Sequence, residues 1–319
     1  MTAMLDAIVE RTQLAGNNKL EILLFSLGAD QRTTRREIFG INVFKVREVM
    51  RAPPITAAPE MPATIKGMVS LRGALVPVID LAHYAGVQTA APREIMIVTE
   101  YNGRTQGFLV DNVDTILRLD WGRMRVPPAM LTAEKGGLVT AVTELADNRL
   151  LMMIDVEKVL AETTPPENDL IYRSIAPVNR PECTVYFADD SLVARKQIER
   201  TLDAMGIKYV SSINGRIAWE QLEKTATYAA TCGKAASELI SLVLTDIEMP
   251  EMDGYLLTKK IKSDPRFAGI PVIMHSSLTG SSNQSLGFSV GVDEYVPKLQ
   301  PKKLSETLTR RLGARPVTP

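Results

Sequence analysis

Asp246 closes the apolar run Leu242, Val243, Leu244, Thr245, and is followed at once by Ile247, Glu248, Met249 and Pro250, then by Asp253 and Gly254. Three more polar sets stand at the ends of other short apolar runs. They are Asp189 and Asp190 after 184–188, His275, Ser276 and Ser277 after 271–274, and Lys298 shortly after Tyr295 and Val296. Carboxylates held close together repel one another unless a hard divalent cation compensates, and oxygen ligands of this kind suit Mg²⁺. With that metal bound, Asp246 can act as a nucleophile toward a phosphoryl group. Mg²⁺ and the Lys298 ammonium would neutralise charge on the transferring oxygens, and Ser276 would donate a hydrogen bond to the product phosphoryl group. Taken singly, an Asp pair is usually a helix cap or a solvated turn, a Ser after a strand is a turn residue, and a Lys near a sheet edge is solvated. Their occurrence together, in order and at successive strand ends, favours the chemistry.

The elements that must position these groups lie within 182–315. Apolar runs at 184–188, 209–213, 239–245, 270–274 and 294–296 are separated by helical stretches. In one of these Leu192, Ala194, Ile198 and Leu202 recur at helical intervals, and Gly206 follows as a stop. Five strands alternating with helices predict a parallel sheet covered on both faces, whose ligand sites lie at the carboxyl ends of the strands. The stretch 221–238 is long for one helix, and the Thr, Ala and Gly content of 225–233 predicts an interruption or a small insertion.

Before Pro165 the pattern is strand-rich. Residues 1–14 place Leu5, Ile8 and Val9 on one face of a short opening helix. Strands are expected at 19–27, 38–49, 67–71, 74–79, 94–99, 104–110, 116–119, 137–145 and 149–154, with a helix over 155–161 capped by Asp155. Such a series predicts barrels or a sandwich. Arg72 stands at a strand turn near Gly67 and Gly73, whose freedom lets the backbone bend or approach a neighbour. No Ser/His/Asp set, metal cluster or phosphate loop occurs in this part, and His83 stands alone, so a binding module is expected.

At 319 residues the chain exceeds one ordinary domain. Prolines 165, 166, 177 and 181 with intervening charges mark a linker, so the expected division is 1–164, a linker at 165–181, and 182–319. Lys plus Arg equals Asp plus Glu at 37 each, which offers no electrostatic case for nucleic acid or an anionic membrane. Cys183 and Cys232 form no metal-spaced pair, which suits a reducing compartment. No apolar run approaches the ~20 residues of a membrane span, and Asp6 and Glu10 interrupt the place of a secretory signal. The expected location is cytoplasmic.

The segments FGINVFKVREVM (39–50), IKGMVSLRGALVPVIDL (65–81), IMIVTEYNGRTQGFLVDNV (95–113) and VTAVTELADNRLLMMIDVEKVL (139–160) closely resemble the CheW family of bacterial chemotaxis coupling proteins. The resemblance implies an all-β fold of two five-stranded SH3-like barrels around a hydrophobic core. It also implies a task, bridging the cytoplasmic tips of chemoreceptors to a histidine kinase. Carried over by motif, Val46, Glu48, Gly67, Arg72 and Gly73 are the implied interface positions, and Ser70 stands where Asn is usual.

Residues 182–315 resemble the receiver domain of response regulators, which implies an α/β flavodoxin-like (βα)5 fold. The motifs carry over as Asp189 and Asp190 for the acidic pair, Asp246 for the phosphoacceptor, Ser276 for the hydroxyl, Tyr295 for the switch aromatic and Lys298 for the base. Ser277, one position away, is the other candidate hydroxyl. Implied metal ligands are the Asp190 and Asp246 carboxylates and the Glu248 backbone carbonyl, with Asp189 beside them. Receivers usually place Pro after the lysine, often with a cis bond. Here Leu299 follows, and a cis bond to a non-proline residue costs roughly 3 kcal/mol, so a trans loop and a differently placed lysine are expected.

A CheW-like half followed by a receiver is similar to the CheV type of coupling protein. The resemblance implies docking in membrane-associated receptor–kinase arrays, phosphorylation of Asp246 by the kinase, and a response at Ser276 and Tyr295 that alters coupling, as adaptation or a phosphate sink. The receiver would take part in its own Mg²⁺-dependent phosphotransfer and dephosphorylation without being an enzyme on other substrates. Two alternatives stand beside this reading. A response regulator with a DNA-binding or enzymatic output is opposed by the balanced charge and the lack of a catalytic cluster. A non-phosphorylated receiver used for dimerisation is opposed by the intact acid, hydroxyl and lysine set.

Overall fold

Strands with one apolar face must bury it against a second layer, and the N-terminal part of the chain does so with two sheets. The computed structural model describes residues 19–32, 34–57, 59–90, 93–101, 104–128, 137–163, 169–178, 180, 182–277, 285 and 287–313. The opening helix expected over 1–14 lies outside them. Leu20–Pro165 forms one compact unit and Pro166–Pro319 belongs to another.

In the first unit one sheet has the order β8-β1-β2-β10-β9, from β1 (Lys19–Ser26), β2 (Ile38–Asn42), β8 (Asn112–Asp120), β9 (Val139–Glu144) and β10 (Leu150–Ile154). The other has the order β3-β6-β7-β5-β4, from β3 (Val46–Arg51), β4 (Ile65–Leu71), β5 (Ala74–Asp80), β6 (Ile95–Tyr101) and β7 (Arg104–Val110). Each sheet has its own core, one around Leu24, Trp121 and Leu151, the other around Val76, Met96 and Leu109. A third core joins them: Phe25, Phe39 and Ile41 of the first sheet meet Ile79, Ile97 and Phe108 of the second. Helix α1 (Leu81–Tyr84) and helix α2 (Val156–Thr163) add Leu81, Val156 and Val159 to it. Asp155 caps α2 as expected, accepting the Lys158 N–H at 2.9 Å.

The single strand expected over 38–49 is two strands. Asn42 accepts the Phe44 N–H at 3.0 Å and starts a 3₁₀ turn, Val43–Lys45, after which the chain pairs in the other sheet. Strand-forming residues stand on both sides of the turn, so composition alone hides the crossing, which a short side-chain cap makes. The second sheet curls closed where Thr56 and Met68 exchange backbone hydrogen bonds at 2.9 and 2.8 Å. Gly67 permits this approach: its φ is +153°, and a Cβ would stand 2.5 Å from the Thr56 carbonyl oxygen.

The second unit is a parallel sheet of order β12-β11-β13-β14-β15, formed by β11 (Thr184–Ala188), β12 (Lys208–Ser212), β13 (Leu242–Thr245), β14 (Val272–Ser276) and β15 (Glu294–Pro297). Alternate side chains serve opposite cores. Val185, Phe187, Leu242 and Leu244 face one cluster, whereas Tyr186, Ala188 and Val243 face the other. The first cluster is covered by α4 (Leu192–Met205) and α8 (Pro301–Gly313), the second by α5 (Gly215–Thr231), α6 (Ala236–Leu239) and α7 (Gly254–Ser263). The long stretch 221–238 is indeed interrupted: α5 ends at Cys232 and Gly233 turns at φ +68°. A short helix, α6, then occupies part of what was expected as strand, and β13 begins only at Leu242. Among the described residues no helix is long and apolar enough to cross a membrane.

The segment read as a linker carries structure of its own. Helix α3 (Asp169–Arg173) buries Tyr172, and with it Ile175, in the cluster that holds Leu202, Met205, Leu304, Leu308 and Leu312. The Arg200 guanidinium lies 4.0 Å from the Tyr172 ring centroid, and the Val178 N–H donates to Met205 O at 2.8 Å. The prolines and charges there masked the i, i+3, i+6 spacing of Tyr172, Ile175 and Val178. Replacing Tyr172 by Ala should therefore destabilise the second unit by about 3 kcal/mol. Urea unfolding followed by Trp219 fluorescence in a Trp121→Phe background measures this, and an unchanged midpoint contradicts the packing.

Candidate functional site

Parallel strands in register bring their carboxyl ends to one edge. Ala188 pairs with Thr245, Thr245 with Met274, and Ser276 with Pro297, so the residues that follow or close these strands are Asp189, Asp246, Ser276 and Lys298. All four are buried. Oxygen atoms of Asp189, Asp190 and Asp246 lie within 4.8 Å of one another. Lys298 Nζ stands 2.8 Å from Asp189 Oδ2 and 2.9 Å from Asp246 Oδ2. The Lys298 ammonium thus bridges two of three carboxylates that converge at the sheet edge. An all-oxygen donor set of this kind fits a hard divalent cation.

Lys298 keeps two carboxylate partners with Leu299, rather than a proline, following it. The Lys298 N–H donates to Ser276 O at 3.2 Å, so pairing with β14 continues past Pro297 and sets the lysine before the loop departs. Leu299 takes up the turn at φ +57°, a left-handed conformation costing about 1 kcal/mol for such a residue. The trans loop is as expected, since no cis peptide bond occurs among the described residues.

Backbone groups orient the acids. Asp189 Oδ1 accepts the Ser191 N–H at 3.0 Å, and Asp246 Oδ1 accepts the Ile247 N–H at 2.7 Å. Arg195 Nη1 donates to the carbonyls of Asp189 and Asp190 at 2.7 and 2.9 Å, clamping the acidic turn. Sequence reasoning missed Arg195, whose signal was a cation one turn into the helix after the acidic pair. Asp253 caps α7 through the Leu256 N–H at 2.6 Å, and Gly254 donates its N–H to Ile247 O at 2.8 Å. A Cβ at Gly254 would overlap the Asp246 carbonyl oxygen, which explains the Asp-Gly pair after the nucleophile candidate. Glu248 is buried in the same loop.

The two serines differ. Ser276 ends β14 beside Lys298, whereas the Ser277 Oγ is buried with no hydrogen-bond partner among the described residues. Tyr295 pairs with Met274 and packs with Ile247, Tyr255 and Val292. Its hydroxyl is hydrogen-bonded to that of Tyr255, and burial pushes its pKa up to about 12.

In the first unit Arg72 and Gly73 form the two-residue turn of the β4–β5 hairpin with φ +49° and +84°. Arg72 Nη2 lies 2.9 Å from Glu48 Oε2 of β3, so the structure joins two of the five interface candidates in an exposed ion pair. Val46 packs against the shared core and Gly67 sits inside the barrel closure. Val49, next to Glu48, and Leu75, on the Arg72 hairpin, are exposed apolar side chains that strand alternation did not single out.

A family model described as the CheW-like domain matches residues 21–164, and one described as the response regulator receiver domain matches 185–309. The chain is 30% identical over 302 residues to chemotaxis protein CheV3 of Helicobacter pylori, covering 92% of this chain and 95% of that protein. Chemotaxis protein CheV1 of the same organism is 27% identical over 334 residues, covering 98% of this chain and 99% of its own length. The first unit alone has a relative in the probable chemotaxis protein CheW of Rhizobium etli, 32% identical over 145 residues, 45% of this chain and 88% of that one. Two barrels sharing a core, followed by a parallel sheet with an acidic cluster at its carboxyl edge, thus occur here in a chain that belongs to the CheV family of chemotaxis coupling adaptors.

Proposed function

We propose that the first unit docks this adaptor between chemoreceptor tips and a histidine kinase, and that phosphorylation of Asp246 modulates the coupling. The observation that carries the second half is the cluster of three carboxylates, Asp189 and Asp246 buried and Asp190 half-buried, with the Lys298 ammonium between the two buried ones. Asp189, Asp190, Asp246 and the Glu248 carbonyl would hold Mg²⁺, which when bound supplies charge neutralisation for phosphoryl oxygens. Asp246 attacks phosphorus, the bond from phosphorus to the kinase's histidine nitrogen breaks, and an acyl phosphate forms. Lys298, already held 2.9 Å from Asp246 Oδ2, stays beside the new dianion as its counter-charge. Ser276 supplies a hydroxyl from the adjoining strand end, with Ser277 as the neighbouring donor. The modified state acts on coupling through its different affinity for the docking unit or its partners.

The docking surface centres on Glu48, Arg72 and Gly73, with Val46 and Gly67 supporting its backbone. Arg72 offers a planar fork of donors in its pair with Glu48, and β3 and β5 each carry an exposed apolar side chain, Val49 and Leu75, a composition suited to a protein partner. The coupling domain is read as 1–164 and the receiver as 182–319, with the described part of the intervening segment packed on the receiver side. The adaptor works at cytoplasmic, membrane-associated receptor arrays.

With Mg²⁺ and a small acyl-phosphate donor, the wild-type chain should be labelled and Asp246→Asn should not, while a chelator abolishes labelling. Lys298→Ala should slow it at least tenfold, as loss of an electrostatic stabiliser does. Equal labelling of wild type and Asp246→Asn sinks the phosphoacceptor reading. Co-sedimentation with receptor tips and kinase should weaken about tenfold in Arg72→Ala, the order of an interface Arg anchor. Absence of wild-type co-sedimentation removes the docking reading.

A further inference from the structure

Tyr295 is held by parts that no other role in the site requires. Helix α7 begins eight residues beyond Asp246, and its Tyr255, 3% exposed, packs against Tyr295 with the two hydroxyls hydrogen-bonded to each other. The backbone N–H of Gly287 donates to the same Tyr295 oxygen. Gly287 also leaves the space this ring occupies: a Cβ there would overlap the Tyr295 hydroxyl oxygen and lie 2.6 Å from its Cζ. Phe288 meets the ring edge-on with centroids 5.7 Å apart, while Ile247, Met274 and Val292 pack around it. Strand β15, helix α7 and the segment at 287–288 therefore converge on one phenol. The high pKa of both tyrosines, caused first by burial, fits a phenol pair kept neutral.

We infer that Tyr255 is a positioning residue for Tyr295, holding it inward over the notch at Gly287 before Asp246 is modified. The seat is tied mechanically to the acidic site. Tyr255 directly follows Gly254, which packs against the Asp246 carbonyl and donates its N–H to Ile247 O at 2.8 Å. Movement of the Asp246 loop on phosphorylation, a step that rests on the phosphoacceptor reading, reaches Tyr295 through that residue.

The test uses the full chain carrying [ε-¹³C]tyrosine, with the Tyr295 signal identified by its loss in Tyr295→Phe and its exposure read from broadening by a soluble nitroxide. Wild-type Tyr295 should be sheltered, in contrast to Tyr228, which is 62% exposed. Tyr255→Phe keeps the ring and removes the hydroxyl partner, so the inward-to-outward ratio should fall about fivefold, the effect of one neutral hydrogen bond. Gly287→Ala should drive the ring outward more fully. Broadening of wild-type Tyr295 equal to that of Tyr228, or a Tyr255→Phe signal identical to wild type, overturns the assignment. Acyl-phosphate labelling of the same samples separates the two readings. Unlabelled wild type refutes Asp246 as acceptor, whereas normal labelling with an unchanged Tyr295 signal in Tyr255→Phe refutes the positioning role.

Discussion

One buried ammonium between two buried aspartates constrains everything around it. Lys298 is 1% exposed and holds Asp189 and Asp246 at 2.8 and 2.9 Å, with Asp190 close by. Such charges are tolerable away from water only when their remaining oxygen lone pairs are met by donors and their positions are rigid. The backbone N–H groups of Ser191 and Ile247 and the Arg195 clamp on the acidic turn meet that demand. Rigidity comes from the sheet. β11, β13, β14 and β15 are in parallel register and buried on both faces, so their ends cannot slide without moving both cores.

The first unit solves a different problem, and no comparable buried acidic cluster with metal-ligating spacing occurs in it among the described residues. Two small sheets, each too small for a large core, share a third core built on Phe25, Phe39, Ile97 and Phe108. The Glu48–Arg72 pair between β3 and the β4–β5 hairpin is solvent-screened and contributes little to stability.

Legibility differed by element for physical reasons. The run 184–188 with Asp189 and Asp190, and Leu242 to Asp246, were readable because buried parallel strands are continuous apolar runs and their first polar residue marks the end. The crossing at Asn42–Lys45 was hidden, since one short side-chain cap redirects the chain between two stretches that both read as strand. Tyr172 and Ile175 were hidden by neighbouring prolines, although their spacing matched the face that packs on α4 and α8. The conformation at Leu299 was not legible either, since Lys298 pairs with Ser276 before the loop departs and that pairing depends on the neighbouring strand.

The residue types at the strand ends, the family motifs and the balance of charge were determined by the chain as written, because each is a local or compositional property. Which of those groups meet was decided only by the tertiary structure. Lys298 lies 52 residues beyond Asp246 in the chain, and only the register of two intervening strand pairings, β13 with β14 and β14 with β15, brings their atoms to 2.9 Å. The Tyr255 and Gly287 seat for Tyr295 and the Arg195 clamp belong to the same class, since nothing local to those residues indicates which distant atom they will face. Contact between distant residues is set by register and packing, and these emerge only when every strand and helix is in place.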